Sequence, residues 1–247
     1  MGIVISVLSG KGGTGKTTVC AGLAVALAVL EKSVLCVDMD MGLRNLDIAL
    51  GMPEEPVLPF TEVSQGTALL MDATSHPRIP GLRLLTAPMS HGEMDLAAFQ
   101  NMLLAAREQF DYVLLDAPAG VGDGFRMAAE ISSMQLLVTG PDPAAVRDGI
   151  RVGELLELMG KENVRLIVNR VDPKLYALLG ITIDDIMDTV GYGLLGLVPE
   201  DINVLLAAVE ELALREYTRK GAAAAFTRIA KRLMGQKVPL KNLNKLK

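Results

Sequence analysis

The sequence predicts an α/β fold, a doubly wound and mainly parallel sheet flanked by helices, on three observations. Seven short apolar runs recur along the 247 residues. They are apolar at successive positions instead of alternating, as strands covered by helices on both faces should be. Between them lie stretches with apolar residues at helical spacing, such as Asp95 to Gln109 and Val146 to Met159. A βαβα alternation of this kind builds one parallel sheet.

In chain order the expected strands are "IVISVL", "SVLCVD", "LRLLTA", "YVLLDA", "QLLVTG", "RLIVNR" and "LLGLVPE". The proline-rich pieces "MPEEPVLP" and "HPRIP" read as surface loops around the second crossover. His76 and His91 fall in polar loops and read as surface residues. Phe226, Ile229, Ala230 and Leu233 follow helical spacing and should dock a final helix on the core. Cys20 and Cys36 lie in apolar periodic segments without metal-like spacing, which reads as small buried side chains. No linker or internal repeat divides the chain, so residues 1–235 are taken as one domain and 236–247 as a basic tail.

Half of the residues are apolar, enough for a substantial core, and disorder is not expected. The longest apolar run, Val19 to Leu30, has twelve residues, short of the roughly 20 that span a bilayer. The amino terminus lacks the basic region and cleavage site of a signal peptide, which points to a cytoplasmic protein. "MGIVIS" fits the loose myristoylation pattern, but Gly2 leads straight into the first strand. Charge is unevenly divided. From Arg219 to Lys247 there are nine Lys/Arg and no Asp/Glu, which leaves 15 basic and 29 acidic residues in 1–218. A body near −14 weighs against nonspecific DNA binding, while the +9 of residues 219–247 suits either an anionic membrane surface or a solvated last helix with cations at its carboxyl end.

"GKGGTGKTT" (10–18) follows the first strand and precedes an apolar helical stretch. Gly10, Gly15, Lys16 and Thr17 fit GxxxxGK[ST] in the strand–loop–helix context that the motif requires. Glycines let backbone N–H groups face phosphate oxygens at the positive end of a helix. Lys16 then reaches the β/γ-phosphates and the Thr17 hydroxyl ligates Mg²⁺. A metal-bound triphosphate needs carboxylates at the carboxyl ends of neighbouring strands. Asp38 and Asp40 close "SVLCVDMD" and Asp116 closes "YVLLDAPAG", so these three are the candidate metal carboxylates. "AGVGDG" after Asp116 is a glycine loop placed to sense hydrolysis. No Ser/His/Asp or Cys/His constellation competes for the chemistry.

"SGKGGTGKTT" resembles the deviant Walker A motif of the MinD/ParA ATPases, whose signature is the early lysine, here Lys11. "DMDMGLRNLDIALG" (38–51), "DAPAG" (116–120), "PDPAAVRDGIR" (141–151), "VNRVDP" (168–173) and "GLVPED" (196–201) resemble the MinD branch of that family more specifically. The resemblance implies a P-loop NTPase fold and an ATP-hydrolysing, ATP-dependent homodimer with ATP and Mg²⁺ as ligands. It implies that the loop Gly10, Lys11, Gly12, Gly13, Thr14, Gly15, Lys16, Thr17 and Thr18 holds the phosphates. Lys11 would cross the dimer to the partner's nucleotide and, with Lys16 and Asp40, serve catalysis. Asp40 would activate the attacking water, and Asp38 and Asp116 would hold magnesium directly or through water. Asn169 and Arg170 would lie at the adenine, with Pro199, Glu200 and Asp201 packing round the base. Arg44 and Asn45 match a first switch segment, and Arg147, Asp148 and Arg151 match a dimer and partner surface.

In function the resemblance implies a switch that regulates division septum placement, with MinC-like and MinE-like regulators and reversible association with the inner face of the cell membrane. The tail departs from the family's bulky amphipathic helix: after Pro239 come Leu240, Leu243 and Leu246 among lysines, without Phe or Trp. The segment after "VPED" is also shorter than expected and lacks a Gly-Pro turn. Two alternatives share the motif, a ParA-like partitioning ATPase and a flagellar-number MinD-like ATPase. The acidic body disfavours the first, and the second usually carries an amino-terminal extension that this sequence lacks.

Overall fold

The computed structural model describes residues 1–41, 44–53, 56–88 and 95–240. The strands are β1 (Ile3–Leu8), β2 (Val34–Asp38), β3 (Thr74–Ser75), β4 (Leu82–Leu85), β5 (Tyr112–Asp116), β6 (Met134–Thr139), β7 (Val164–Val171) and β8 (Leu194–Pro199). They form one sheet in the order β3-β4-β2-β5-β1-β6-β7-β8, parallel throughout except for the β3–β4 pair. The helices are α1 (Lys16–Val29), α2 (Leu46–Ala49), α3 (Phe60–Ser64), α4 (Leu96–Gln109), α5 (Asp123–Ile131) and α6 (Pro143–Leu158). They continue with α7 (Pro173–Leu179), α8 (Ile183–Val190), α9 (Asn203–Val209), α10 (Leu214–Tyr217) and α11 (Gly221–Leu233).

The continuous apolar character of the strands has its cause in two separate cores. In β2, Val34 and Cys36 face one core with Leu23, Leu27, Phe226 and Ile229 of α1 and α11. Leu35 and Val37 face the other, with Phe99 of α4, Phe125 of α5 and Ile186 of α8. Both faces of the sheet are therefore dry, and hydrophobic burial acts on every position of the strand. Phe226, Ile229 and Ala230 are buried and Leu233 packs against the same core, so the last helix docks as its spacing predicts. Cys20 and Cys36 are buried and free, and their mutual hydrogen bond together with burial pushes the Cys20 thiol up.

The topology brings the carboxyl ends of β1, β2 and β5 together. Asp38 of β2 is in register with Asp116 of β5, and Asp116 is in register with Val7 of β1. The loop that leaves β1 thus emerges beside two buried carboxylates.

Some loop expectations are corrected. "MPEEPVLP" and "HPRIP" do not lie wholly on the surface, because Met52, Val57 and Ile79 are buried. His76 is 5 % exposed. Its Nε2 lies 2.8 Å from the Leu50 carbonyl, while its Nδ1 accepts the Arg78 and Ile79 N–H groups. The imidazole organises this loop because its two nitrogens match one carbonyl and two amides in a place that water does not reach. His91, Leu243 and Leu246 lie outside the described residues.

Candidate nucleotide site

Gly15 is the residue before α1 and has φ 83°, the left-handed region that glycine enters without a Cβ penalty. A Cβ there would collide with the Asn169 side chain. No side chain caps α1 and its first turn holds no acid, so its amino-terminal N–H groups remain available to an anion. The Thr14 Oγ1 is buried without a hydrogen-bond partner among the described residues. Uncapped amides and an orphaned hydroxyl are what an added phosphate would satisfy.

Lys16 is buried and places its Nζ 2.7 Å from Asp116 Oδ1. Burial pushes the Asp116 carboxyl up, and the Lys16 ammonium and the Thr17 hydroxyl draw it back down. Asp38 is pushed up to about 6, again by burial. Its Oδ1 accepts the Asp40 N–H and its Oδ2 the N–H groups of Asn45 and Leu46, so Asp38 ties the end of β2 to the start of α2. No group of three acids, cysteines or histidines converges as a metal cage among the described residues. Magnesium takes one or two carboxylates and completes its shell with phosphate oxygens and water. Thr17 and Asp40 line the cleft, and Asp116 stands directly behind Thr17, a hard oxygen donor set that suits this ion.

Lys11 is turned sideways, with its Nζ 2.9 Å from Asp142 Oδ1. The same Asp142 oxygen accepts the Ala145 N–H and caps α6, where Pro143 begins the helix. Burial acts to raise the Asp142 carboxyl, but the Lys11 ammonium and the cap bonds outweigh it and hold the carboxyl low. Gly10 packs against Asp148 of α6, and a side chain on Gly10 would strike that helix. Arg147 and Arg151 stand exposed on the same helix.

An open cleft of about 730 Å³ runs from the loop to the end of β8, within the range of small-molecule sites. Lys11, Gly12, Gly13, Thr14, Gly15, Lys16, Thr17 and Thr18 form one end, and Arg170, Pro199, Glu200 and Asp201 form the other. Asn169 also lines it, but its amide donates to the Thr14 carbonyl at 2.8 Å, so it braces the phosphate loop. Arg170 sits at φ 59°, where the β7–β8 register slips, and pairs with Glu200 at 2.8 Å. Asp201 accepts the N–H groups of Asn203 and Ala222, which joins the strap after β8 to α11.

Sequence reasoning did not assign Asp142 a role, although its place before Pro143 marks a helix cap. Nor did it single out Ile202, Val204, Leu205 and Ala208 of the strap, which complete the wall of the cleft. Their apolar spacing resembles any helix face.

Residues 5–214 match the family model described as the CobQ/CobB/MinD/ParA nucleotide binding domain. The chain is 37 % identical over 244 residues to the septum site-determining protein MinD of Synechocystis sp., covering 97 % of this chain and 92 % of that protein. A solved MinC:MinD cell division protein complex from Aquifex aeolicus contains a chain with TM-score 0.90 and 33 % identity, covering 97 % of this chain and 98 % of that one. MinD of Pyrococcus horikoshii, solved with Mg-ADP, superposes with TM-score 0.78 at 27 % identity, covering 96 % of this chain and all of that one.

Proposed function

The chain belongs to the MinD/ParA family of nucleotide-binding proteins, and on that premise we propose that it is an ATP-hydrolysing dimerisation switch that regulates placement of the division septum. The observation that carries the proposal is the pair of lysines on one loop. Lys16 points inward to Asp116 and Lys11 outward to the rim at Asp142. One cation is positioned for the chain's own phosphates, and the other, held at the rim by Asp142, can reach past them once it leaves that carboxylate.

On ATP binding, the uncapped amides of α1 and the Thr14 hydroxyl take phosphate oxygens, and Lys16 transfers its charge from Asp116 to the β/γ-phosphates. Magnesium, when bound, would be held by Thr17, Asp38, Asp40 and Asp116, directly or through water, and would neutralise phosphate charge. Asp40 orients the attacking water. Lys11 leaves Asp142 for the nucleotide of a second copy, where a positioned cation stabilises developing charge as an arginine finger does. Turnover is slow in a monomer and faster in the dimer, and MinC-like and MinE-like regulators read the dimer state.

The family relatives include a MinC:MinD complex and a Mg-ADP complex, which supports both the ligand and the kind of partner. Among the described residues no helix is long and apolar enough to cross a membrane. We assign reversible membrane contact, from the cytoplasmic side, to the tail, 236–247, on its four lysines and interspersed leucines. Arg232 fixes where the tail leaves the domain, because its guanidinium donates to the carbonyls of Leu195, Val238 and Pro239. Leu195 lies near the amino end of β8, at the edge of the sheet opposite the nucleotide cleft. Two such tails on one dimer bind through raised effective concentration, whereas a single tail is weak.

The test is Lys11→Ala with ATP, read by sedimentation and phosphate release. Loss of both dimer and turnover is expected, and survival of both overturns the trans-lysine role. Liposome sedimentation of the full chain and of a Δ236–247 variant, with ATP or ADP, tests the tail. Equal binding by both removes the tail from the mechanism.

A further inference from the structure

Behind the phosphate loop lies a second, partly open cavity of about 210 Å³, lined by residues of α1, α2, α9, α10 and α11. Small side chains build much of its wall, among them Ala21, Ala26, Ala49, Ala207 and Ala223, with the Phe226 ring closing one side. Larger apolar residues at these helical positions would fill the space, and tight packing is the rule in protein interiors. Apolar cavities of about 150 Å³ stay dry and take up benzene. This one has room for a ring with a short substituent.

The wall is not uniformly apolar. Arg215 is the one charged residue that lines it, and Arg215 makes no hydrogen bond or ion pair among the described residues. Arg78 and Arg219 lie with Arg215 along a neighbouring groove and do not line this cavity, and Arg78 is committed to Glu216 and to the carbonyls of Gly51 and Glu211. Arg215 therefore remains for an anionic group whose apolar body occupies the cavity. The cavity also shares wall with the nucleotide cleft at Thr17, Thr18, Asn45, Val204 and Ala208. A ligand that props these residues apart or together changes the shape of the neighbouring site.

We propose that this cavity binds a small monocarboxylate with an apolar body, one ring or a short alkyl chain, and that its occupancy is coupled to nucleotide binding. Coupling rests on the neighbouring cleft binding nucleotide, whereas binding of the carboxylate itself does not.

The probe is 4-methylbenzoate, titrated onto the full chain by ligand-observed NMR, with toluene and benzylamine as controls for body and charge. Saturable binding of the carboxylate is expected. Arg215→Gln should weaken it about threefold to fivefold and leave toluene unchanged. Ala49→Leu fills the cavity and should remove both probes. Should that variant fail to fold, Val25→Ala, which enlarges the cavity, should instead tighten binding or admit a bulkier ring. Absence of saturable binding, equal binding by Ala49→Leu, or equal affinity for benzylamine overturns the site. Coupling is read from the affinity for a fluorescent ADP analogue, which saturating probe should shift about fivefold, with the reciprocal shift in probe affinity. Unchanged ADP affinity at full occupancy overturns the coupling.

Discussion

The Lys16 ammonium lies 2.7 Å from the Asp116 carboxylate, and the two side chains are only 7 % and 2 % exposed. Without phosphate, the loop lysine thus has its counter-charge supplied by the adjacent strand. Removing one member of a buried pair leaves an uncompensated charge, which typically costs about 3–5 kcal/mol. Lys16→Ala is expected to lower the stability of the nucleotide-free chain by about that much, since Asp116 keeps Asp38 as its neighbour in the register. The double variant Lys16→Met/Asp116→Leu should recover most of the loss while binding no ATP. Urea unfolding of the three proteins checks this, and equal stability of the single and double variants would show that the pair is not what holds the loop.

Asp38 makes stability depend on pH in an identifiable direction. Its carboxyl titrates near 6 when folded, against 3.8 as the ordinary value. Between about pH 4 and 6 the folded chain therefore holds a proton that the unfolded chain has released. Stability falls as pH rises through that window, by about 3 kcal/mol in total, and is level above it. Asp38→Asn should abolish this component. The measurement is the difference in unfolding free energy between wild type and Asp38→Asn at pH 4.5 and pH 7. A difference that does not change with pH would contradict the assignment.

Asp142 has two tasks, and two substitutions separate them. Asp142→Ala removes both the Lys11 pair and the cap on Ala145. A lost cap costs about 0.5–2 kcal/mol, whereas an exposed ion pair contributes at most about 1 kcal/mol. Asp142→Asn keeps a capping side chain and should retain most of the stability, while freeing Lys11. ATP-dependent self-association of Asp142→Asn, followed by sedimentation velocity, should strengthen by no more than about fivefold. Thermal unfolding should place Asp142→Ala below Asp142→Asn, and equal midpoints for the two, both well below wild type, would mean that the ion pair dominates.

What the sequence discloses about this site is set by how local each signal is. Gly10, Gly15, Lys16 and Thr17 are adjacent in the chain, and the runs that end on Asp38 and Asp116 carry their positions in their own pattern. A parallel sheet then forces the two aspartates side by side. Asn169 is different, because its amide reaches Thr14 across 155 residues. The family resemblance puts Asn169 at the base, and the structure adds that its amide braces the loop from within the same cleft. His76 reads as polar surface because its partner Leu50 lies 26 residues away in the chain, beyond any local pattern. β3, with two residues, is too short for periodicity to reveal. Asp38 reads as a metal ligand, yet its oxygens are largely occupied by backbone amides, a turn geometry that composition does not encode.

Gly22 shows how the core behind the site is held. It lies inside α1, where glycine is about 1 kcal/mol less favourable than alanine. A Cβ at this position would overlap the Phe226 ring of α11. The glycine is thus required by close approach of two helices, and its propensity cost is outweighed by the contact it permits. Gly22→Ala should destabilise the chain by about 1–3 kcal/mol, as overpacked cores do, despite the better helix former. Gly22→Ala/Phe226→Leu should regain part of that loss, because the smaller side chain makes room for the new methyl. Denaturant unfolding of the two variants and of Phe226→Leu alone closes the cycle. If the two substitutions are simply additive, the Phe226 ring is not what excludes a side chain at position 22.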